Sequence, residues 1–295
     1  MRVLHLDTGL SLRGGQHQLL ALLGAMGPDA SLLAPARSPT LKQALALGFD
    51  ARPISAAAIL ARSRDAALVH CHDARSHTLA ALFSRAPFVV SRRVAFPVKR
   101  GLLSRWKYAR AARFLAVSHA VFCRLLRAGI PEAKIDIVPD GVALPPRPST
   151  RTGPILALYS GDPLKGGDLL RRTHLDVHFT SDLPALLPEA RLFLHISESE
   201  GLGSAALLAL AHGVPVVASS VGGLPEIVIP GHTGLLVRNH PADILAAARR
   251  ILDDETLASS MAANARALVE RRFTIERMLR LTLDSYSKVV PRVVK

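Results

Sequence analysis

Residues 192–228 constrain this chain more than any other stretch. They read LFLHISESEGLGSAALLALAHGVPVVASSVGGLPEIV. The apolar run Leu192 to Ile196 predicts a buried strand, and Ser197 to Gly203 a polar, glycine-containing loop. An apolar helix is expected from Ser204 to His212, ended by Gly213-Val214-Pro215. Val216 to Ala218 is the next strand. The turn Gly222-Gly223 then leads to Pro225-Glu226 and an expected further helix start. Strand, loop, helix, strand, loop, helix is the order of an open parallel sheet. Both glycine turns follow strands, where such sheets bind ligands. Free N–H groups at a helix start suit phosphate.

The same alternation runs through the first half. Strands are predicted at Val3 to Asp7, Ala30 to Ala34, Ala51 to Pro53, Ala66 to His70 and Pro87 to Ser91, with helices between them. This is a doubly wound pattern. Gly14-Gly15 lies at the first strand-to-helix crossing, before a helix from Gln16 to Met26. A proline-rich linker, 143–153, follows Ile135 to Val138 and Pro139-Asp140-Gly141-Val142. Beyond it, the strand Ile155 to Tyr159 leads to Ser160-Gly161-Asp162-Pro163-Leu164-Lys165-Gly166-Gly167, in which a lysine and a helix start form a candidate phosphate site. The expected division is 1–148, 149–272 and a closing segment, 273–295.

Net charge is +14, and it is uneven. Residues 1–148 hold 21 Lys/Arg against 8 Asp/Glu, a net +13; residues 149–295 carry +1. The first half is therefore expected either to face something anionic or to present a merely solvated basic surface. Its densest part runs from Arg92-Arg93 through Lys99-Arg100, Arg105, Lys107 and Arg110 to Arg113, with Leu102, Leu103, Trp106 and Tyr108 interleaved. A basic, partly amphipathic helix over Ser104 to Phe114 fits an anionic membrane surface, or packs its apolar residues inward. No nucleic-acid motif is visible, so nucleic acid is not an expected partner. The two cysteines, Cys71 and Cys123, make no disulfide framework and suit a reducing compartment. Met1 to Asp7 reads as a strand rather than a secretory signal. No apolar run is long enough to predict a membrane span.

His70, Cys71 and His72 lie at a strand end, but no second cluster with zinc spacing follows, so no metal is predicted. Glu198 and Glu200 could serve as a hydrolase pair, although alternation can point them to opposite faces.

Glu200-Gly201-Leu202-Gly203, His212-Gly213-Val214-Pro215-Val216-Val217, Gly222-Gly223-Leu224-Pro225-Glu226 and Gly231-His232-Thr233-Gly234-Leu235-Leu236 together resemble the donor-site signature of the retaining GT-B glycosyltransferases, the glycosyl transferases group 1 family. The resemblance implies an α/β GT-B fold: two Rossmann-like domains facing across a cleft, the C-terminal one shortened between Gly166 and Glu200. It implies a nucleotide-sugar donor, a cell-envelope glycan or lipid-linked acceptor, no cofactor, and a cytoplasmic protein, peripheral on the inner face of the membrane. By that resemblance Glu200 meets the donor sugar and Lys165, of the pair Lys165-Gly166, the diphosphate. Arg93 stands where many relatives place a histidine. Gly14, Gly15, His72, Gly201, Leu202, Gly203, Ser204, Gly222, Gly223 and Glu226 complete the expected substrate site. Two features depart from the family pattern. Leu208 occupies the position of a second glutamate, and the arginine of the family's Gly-Arg pair has no counterpart. A catalytically inactive GT-B module that binds an anionic glycan or partner therefore stays open as a second reading. A Rossmann oxidoreductase is a third, against which stands the missing Gly-x-Gly-x-x-Gly.

Overall fold

All strand pairing among the described residues is parallel, in two sheets. The computed structural model describes residues 1–96, 98 and 101–290. The chain divides into two compact units. One comprises Met1–Gly141 with the chain from Ile275 onward, the other Val142–Thr274.

The first unit alternates β1 (Val3–Leu6), α1 (Gly14–Met26), β2 (Ala30–Ala34), α2 (Pro39–Ala46), β3 (Asp50–Pro53), α3 (Ala56–Asp65), β4 (Leu68–Cys71), α4 (Ala74–Phe83), β5 (Phe88–Arg92), α5 (Leu102–Arg110), β6 (Arg113–Ala116), α6 (His119–Arg127) and β7 (Ile135–Ile137). Its sheet order is β3-β2-β1-β4-β5-β6-β7, with the reversal between β1 and β4. β1 and β4 are buried along their whole length, as parallel strands covered by helices on both faces must be. Ser38, Ser55, Asp73 and Ser118 each cap a helix by accepting a backbone N–H with the side chain.

The second unit continues with β8 (Ile155–Leu158), α7 (Gly167–Arg171), β9 (Val177–Thr180), α8 (Leu183–Leu186), β10 (Leu192–His195), α9 (Ser204–Ala211), β11 (Val216–Ser219), β12 (Gly234–Val237), α10 (Pro241–Leu252) and α11 (Glu255–Arg272). Its sheet order is β12-β11-β10-β8-β9. Alternate residues Leu192, Leu194 and Ile196 pack with Ile155, Ala157 and Val217 against Ile244, Ala248 and Ile251. That packing fixes the strand register and hence where each strand delivers its terminal loop.

The last helix, α12 (Ile275–Ser287), returns to the first unit. Tyr286 is fully buried there against Val3, Leu68 and Val89. Asp136 holds the same helix by accepting from Ser285 (2.8 Å) and Lys288 (2.6 Å), while Arg113 donates to both of its oxygens. Burial alone would raise the Asp136 carboxyl, but these partners outweigh it and hold it at about 2.

Three local expectations are corrected. Gly14 and Gly15 form the first turn of α1 rather than the loop before it. Pro225-Glu226 starts no helix: Leu224–Glu226 is a single 3-10 turn, and the chain bends again at Pro230-Gly231, where Gly231 has φ +75°. The basic helix stops at Arg110, because Ala111 is already extended and Phe114 belongs to β6. Lys99 and Arg100 lie outside the described residues.

Candidate functional site

In the second unit, loops from four adjacent strands meet at the carboxyl ends of the sheet, the usual ligand crevice of such folds. The loop after β8 is tied to the loop after β10: Glu198 N–H donates to the Leu164 carbonyl (2.9 Å), and Ser197 Oγ to the same carbonyl (3.3 Å). Gly166, at φ +66°, packs so closely on Ile196 that a Cβ would lie 2.5 Å from its Cγ2. After β11, Gly222 has φ +55°, and a Cβ there would sit 1.8 Å from the Glu200 carbonyl oxygen. Both positions require glycine, for the backbone conformation and for the close approach. After β12, Asn239 accepts from Ser219 Oγ (2.5 Å) and donates to the Ser197 carbonyl (3.1 Å) and Glu198 Oε1 (3.0 Å).

This scaffold puts Lys165 and Glu200 in contact. Lys165 Nζ donates to Glu200 Oε1, and His195 Nε2 lies 3.1 Å from the same oxygen. Burial would raise the Glu200 carboxyl, yet the His195 hydrogen bond, the His195 charge and Lys165 together hold it at about 2. Gly201, Leu202 and Gly203 are buried in the loop, and Ser204 opens α9, so the first-turn amides of that helix begin beside Glu200. Gly203, at φ +102°, packs on Leu224. Gly223 and Glu226 lie in the turn that carries Leu224. Leu208 is half-buried, one turn along α9 from Ser204. His195, Asn239 and Ser219 were missed by sequence reasoning. His195 closes β10, inside the strand expected from Leu192 to Ile196, a position whose chemistry was legible; Asn239 is far away in sequence.

In the first unit, Gly15, His72 and Arg93 come together. The Arg93 Cδ lies 3.7 Å from where a Gly15 Cβ would be. Its Nε donates to Asp140 Oδ1 (3.1 Å) and its Nη1 to His72 Nδ1 (3.0 Å). Gly14 is the neighbouring residue in the α1 first turn. Asp73 ties the adjacent loops, accepting from Thr8 N–H (2.7 Å) and Thr8 Oγ1 (2.6 Å) while capping α4.

His72 belongs to a buried trio. His5 and His70 face each other in the β1–β4 register, and His72 follows two residues on. Arginine can only donate, so His72 Nδ1 accepts and its proton sits on Nε2. That proton goes to His5 Nδ1 (2.9 Å), which leaves the His5 proton on Nε2, buried and without a partner. His70 bonds Tyr286 Oη (2.6 Å) and Ser91 Oγ (2.8 Å). Desolvation first, with Arg93 contributing, pushes all three imidazoles below their ordinary range, His5 to about 3. One nitrogen from each ring lies within 4.8 Å of the others, a spacing that could hold a metal. Five of the six ring nitrogens are already hydrogen-bonded, and no carboxylate belongs to the set to offset a cation beside Arg93.

Two family models match this chain. Residues 1–144 match Glycosyltransferase Family 4, and residues 169–268 match Glycosyl transferases group 1. Both are glycosyltransferase models, and together they span most of the chain. The fold is GT-B, with two Rossmann-like units. A structure of Anabaena HepE in complex with UDP and glucose superposes with a TM-score of 0.87 over 97% of this chain and 99% of that one, at 16% identity. A glycosyltransferase from Rickettsia africae gives 0.78 over 99% of both, at 18% identity. Among curated relatives, D-inositol 3-phosphate glycosyltransferase of a Nocardioides species is 41% identical over 31% of this chain and 20% of its own length. N-acetyl-alpha-D-glucosaminyl L-malate synthase of Bacillus anthracis is 36% identical over 32% of this chain and 25% of its own. The match thus spans only a fifth to a quarter of those relatives. The group 1 model begins at residue 169, so Lys165 lies just outside it. Among the described residues no helix is long and apolar enough to cross a membrane.

Proposed function

We propose that this glycosyltransferase moves a sugar from a nucleotide-sugar donor to a hydroxyl of a cell-envelope glycoconjugate or lipid-linked acceptor, with retention. The observation that carries the reading is the meeting of Lys165, Glu200 and the α9 N-terminus at the carboxyl ends of β8 and β10. An ammonium group and oriented amides are suited to a diphosphate whose charge grows as the sugar–oxygen bond breaks. The leaving diphosphate departs with the bonding pair, and one of its oxygens accepts the proton of the incoming hydroxyl. Glu200, ionised across the neutral range, accepts hydrogen bonds from sugar hydroxyls through the oxygen that Lys165 does not occupy. UDP, present in the HepE structure, is the first nucleotide to test. Arg93, with His72 and Gly15, is the matching candidate on the first unit. In this reading the protein works at the cytoplasmic face of the membrane as a peripheral enzyme.

Leu208 favours a second reading, a binding module without turnover, because a leucine cannot accept the hydrogen bonds that a glutamate there would give a ribose. A thermal-shift screen of sugar nucleotides, followed by a transfer assay on those that bind, separates the two. Catalysis predicts a melting point raised by several degrees at saturating donor and release of the free nucleotide. Binding without release supports the module. No shift with any sugar nucleotide overturns the transferase and leaves the module, whose ligand would be an anionic glycan or partner.

A further inference from the structure

From Ala74 to Pro131 the chain holds twelve Lys/Arg and no Asp or Glu. The structure sorts these cations. Lys107 is turned inward, donating to the Ala74 carbonyl (3.3 Å) and Thr78 Oγ1 (3.2 Å). Arg113 is spent on Asp136, and Arg93 on Asp140 and His72. Arg105, Arg110 and Arg127 remain exposed. On the outer face of α5, Leu102 and Leu103 are 85% and 83% exposed and Trp106 is 41% exposed, with the Arg110 guanidinium over its ring. Lys134 donates to the carbonyls of Ala109 (3.4 Å) and Ala111 (3.2 Å), which fixes the end of this helix. Beside α5 runs an open groove of about 850 Å³, lined by Leu102, Arg105, Tyr108, Arg127 and Ile130 among others.

Two leucines this exposed on a nine-residue helix are unusual for a face that meets only water. Neighbouring arginines and the lack of any carboxylate on the segment make the face complementary to an anionic surface with an apolar interior. We infer that the outer face of α5 docks on an anionic phospholipid bilayer, Leu102 and Leu103 entering the acyl boundary while Arg105, Arg110 and Arg127 meet phosphates. The inference rests on the membrane part of the proposed function and not on the donor site. It names the face, and it removes Lys107 and Arg113 from the basic set expected from the sequence.

Trp106 is the only tryptophan of the chain, so its fluorescence reads this face alone. The test mixes the whole protein with phosphatidylcholine vesicles and with vesicles containing one third phosphatidylglycerol. Docking predicts co-sedimentation, a blue shift and quenching by brominated acyl chains, with the anionic vesicles only. Leu102→Ser with Leu103→Ser, and separately Arg105→Glu with Arg127→Glu, should each cut vesicle partitioning about tenfold or more. Arg249→Glu with Arg250→Glu, equal in charge change but exposed on the second unit, should change it little. Equal release by both charge pairs would reduce the effect to net charge and overturn the assigned face. Self-association without lipid, abolished by the leucine substitutions, would overturn it in favour of a second copy. Donor-induced thermal shifts are measured on every variant. No binding of anionic vesicles by the unsubstituted protein, with its donor binding intact, defeats this inference alone; no donor binding by that protein defeats the proposed function.

Discussion

Lys165 and Glu200 form an ion pair between the loops that follow β8 and β10, on the oxygen that His195 also contacts. The pair lies 35 residues apart in sequence, and neither partner is free to form it alone. Gly166 must lie on Ile196, and Gly222 on the Glu200 carbonyl, before the two side chains can meet. The candidate phosphate-binding cation is therefore held by the carboxylate expected to read the sugar. A bound diphosphate would share Lys165 with Glu200.

Acid should weaken the fold through Glu200. Its folded value of about 2 lies below the 4.5 of an unperturbed glutamate. A depressed carboxylate contributes stability that is fully present above about pH 4.5 and is lost as pH falls toward 2. With Glu200 mostly buried, that contribution is on the order of 2–3 kcal/mol. Urea denaturation of the unsubstituted protein and Glu200→Gln should differ by about this amount at pH 7, and the difference should shrink below pH 4.5 and nearly vanish as pH falls to about 2. A constant difference across the range would show that the ion pair does not set it.

Transfer should depend on the charge of Lys165 more than on its bulk. Lys165→Met removes the cation that faces the leaving diphosphate and should lower kcat/KM by about 10²–10³-fold, the usual cost of losing one such group. Lys165→Arg should recover part of it. Circular dichroism should show both variants folded. Equal activity in the methionine and arginine variants would remove Lys165 from the reaction.

Gly222→Ala is expected to be costly although only one methyl group is added. The position has φ +55°, and the new Cβ would meet backbone 1.8 Å away, which a side-chain rotation cannot relieve. A loss of about 2 kcal/mol or more is expected, with nucleotide affinity falling in parallel because the Glu200 loop must shift. Gly231→Ala is the control: its φ is +75°, but nothing lies within 4 Å of the added atom. It carries the strain without the clash, so it should lose stability and keep nucleotide affinity. Calorimetric titration with UDP on both variants checks this.

Most of the strand-and-helix order was legible because each element carries its own period and ends in its own turn residues. Gly166, Gly222 and Lys165 could be singled out because glycine and lysine between a strand and a helix have few uses. Partners brought in by pairing were not legible. His5 meets His70 only through the β1–β4 register, and Asn239 reaches Ser197 from 42 residues away. The fate of the basic residues was hidden for the same reason: Lys107 and Arg105 are two apart, yet one turns into α4 and the other to solvent. The expected helix at Pro225 failed because a proline at a helix start is equally at home in a single 3-10 turn.

The histidine trio gives the first unit its own acid sensitivity at milder pH. His5, His70 and His72 are pushed below 6.5, chiefly by desolvation, and His5 lies at about 3. A depressed histidine is neutral in the fold while its unfolded counterpart takes a proton, so stability is complete above about pH 6.5 and falls as pH drops toward the folded values. His5, at about 3 in the fold, contributes a slope of about 1.4 kcal/mol per pH unit between pH 5.5 and 4.5, and the downward shifts of His70 and His72 steepen it. His5→Asn keeps an acceptor near the position of Nδ1 for His72 and removes one titrating group. Its slope should be shallower by about 1.4 kcal/mol per pH unit, measured by denaturation at half-unit intervals. Tyr286→Phe, by contrast, should lower stability by about 1–3 kcal/mol at every pH above 6.5, since it leaves His70 Nδ1 unpaired in the core. An unchanged slope in His5→Asn would mean that the trio is already protonated in the fold, and the proton assignment running from Arg93 through His72 to His5 would fail with it.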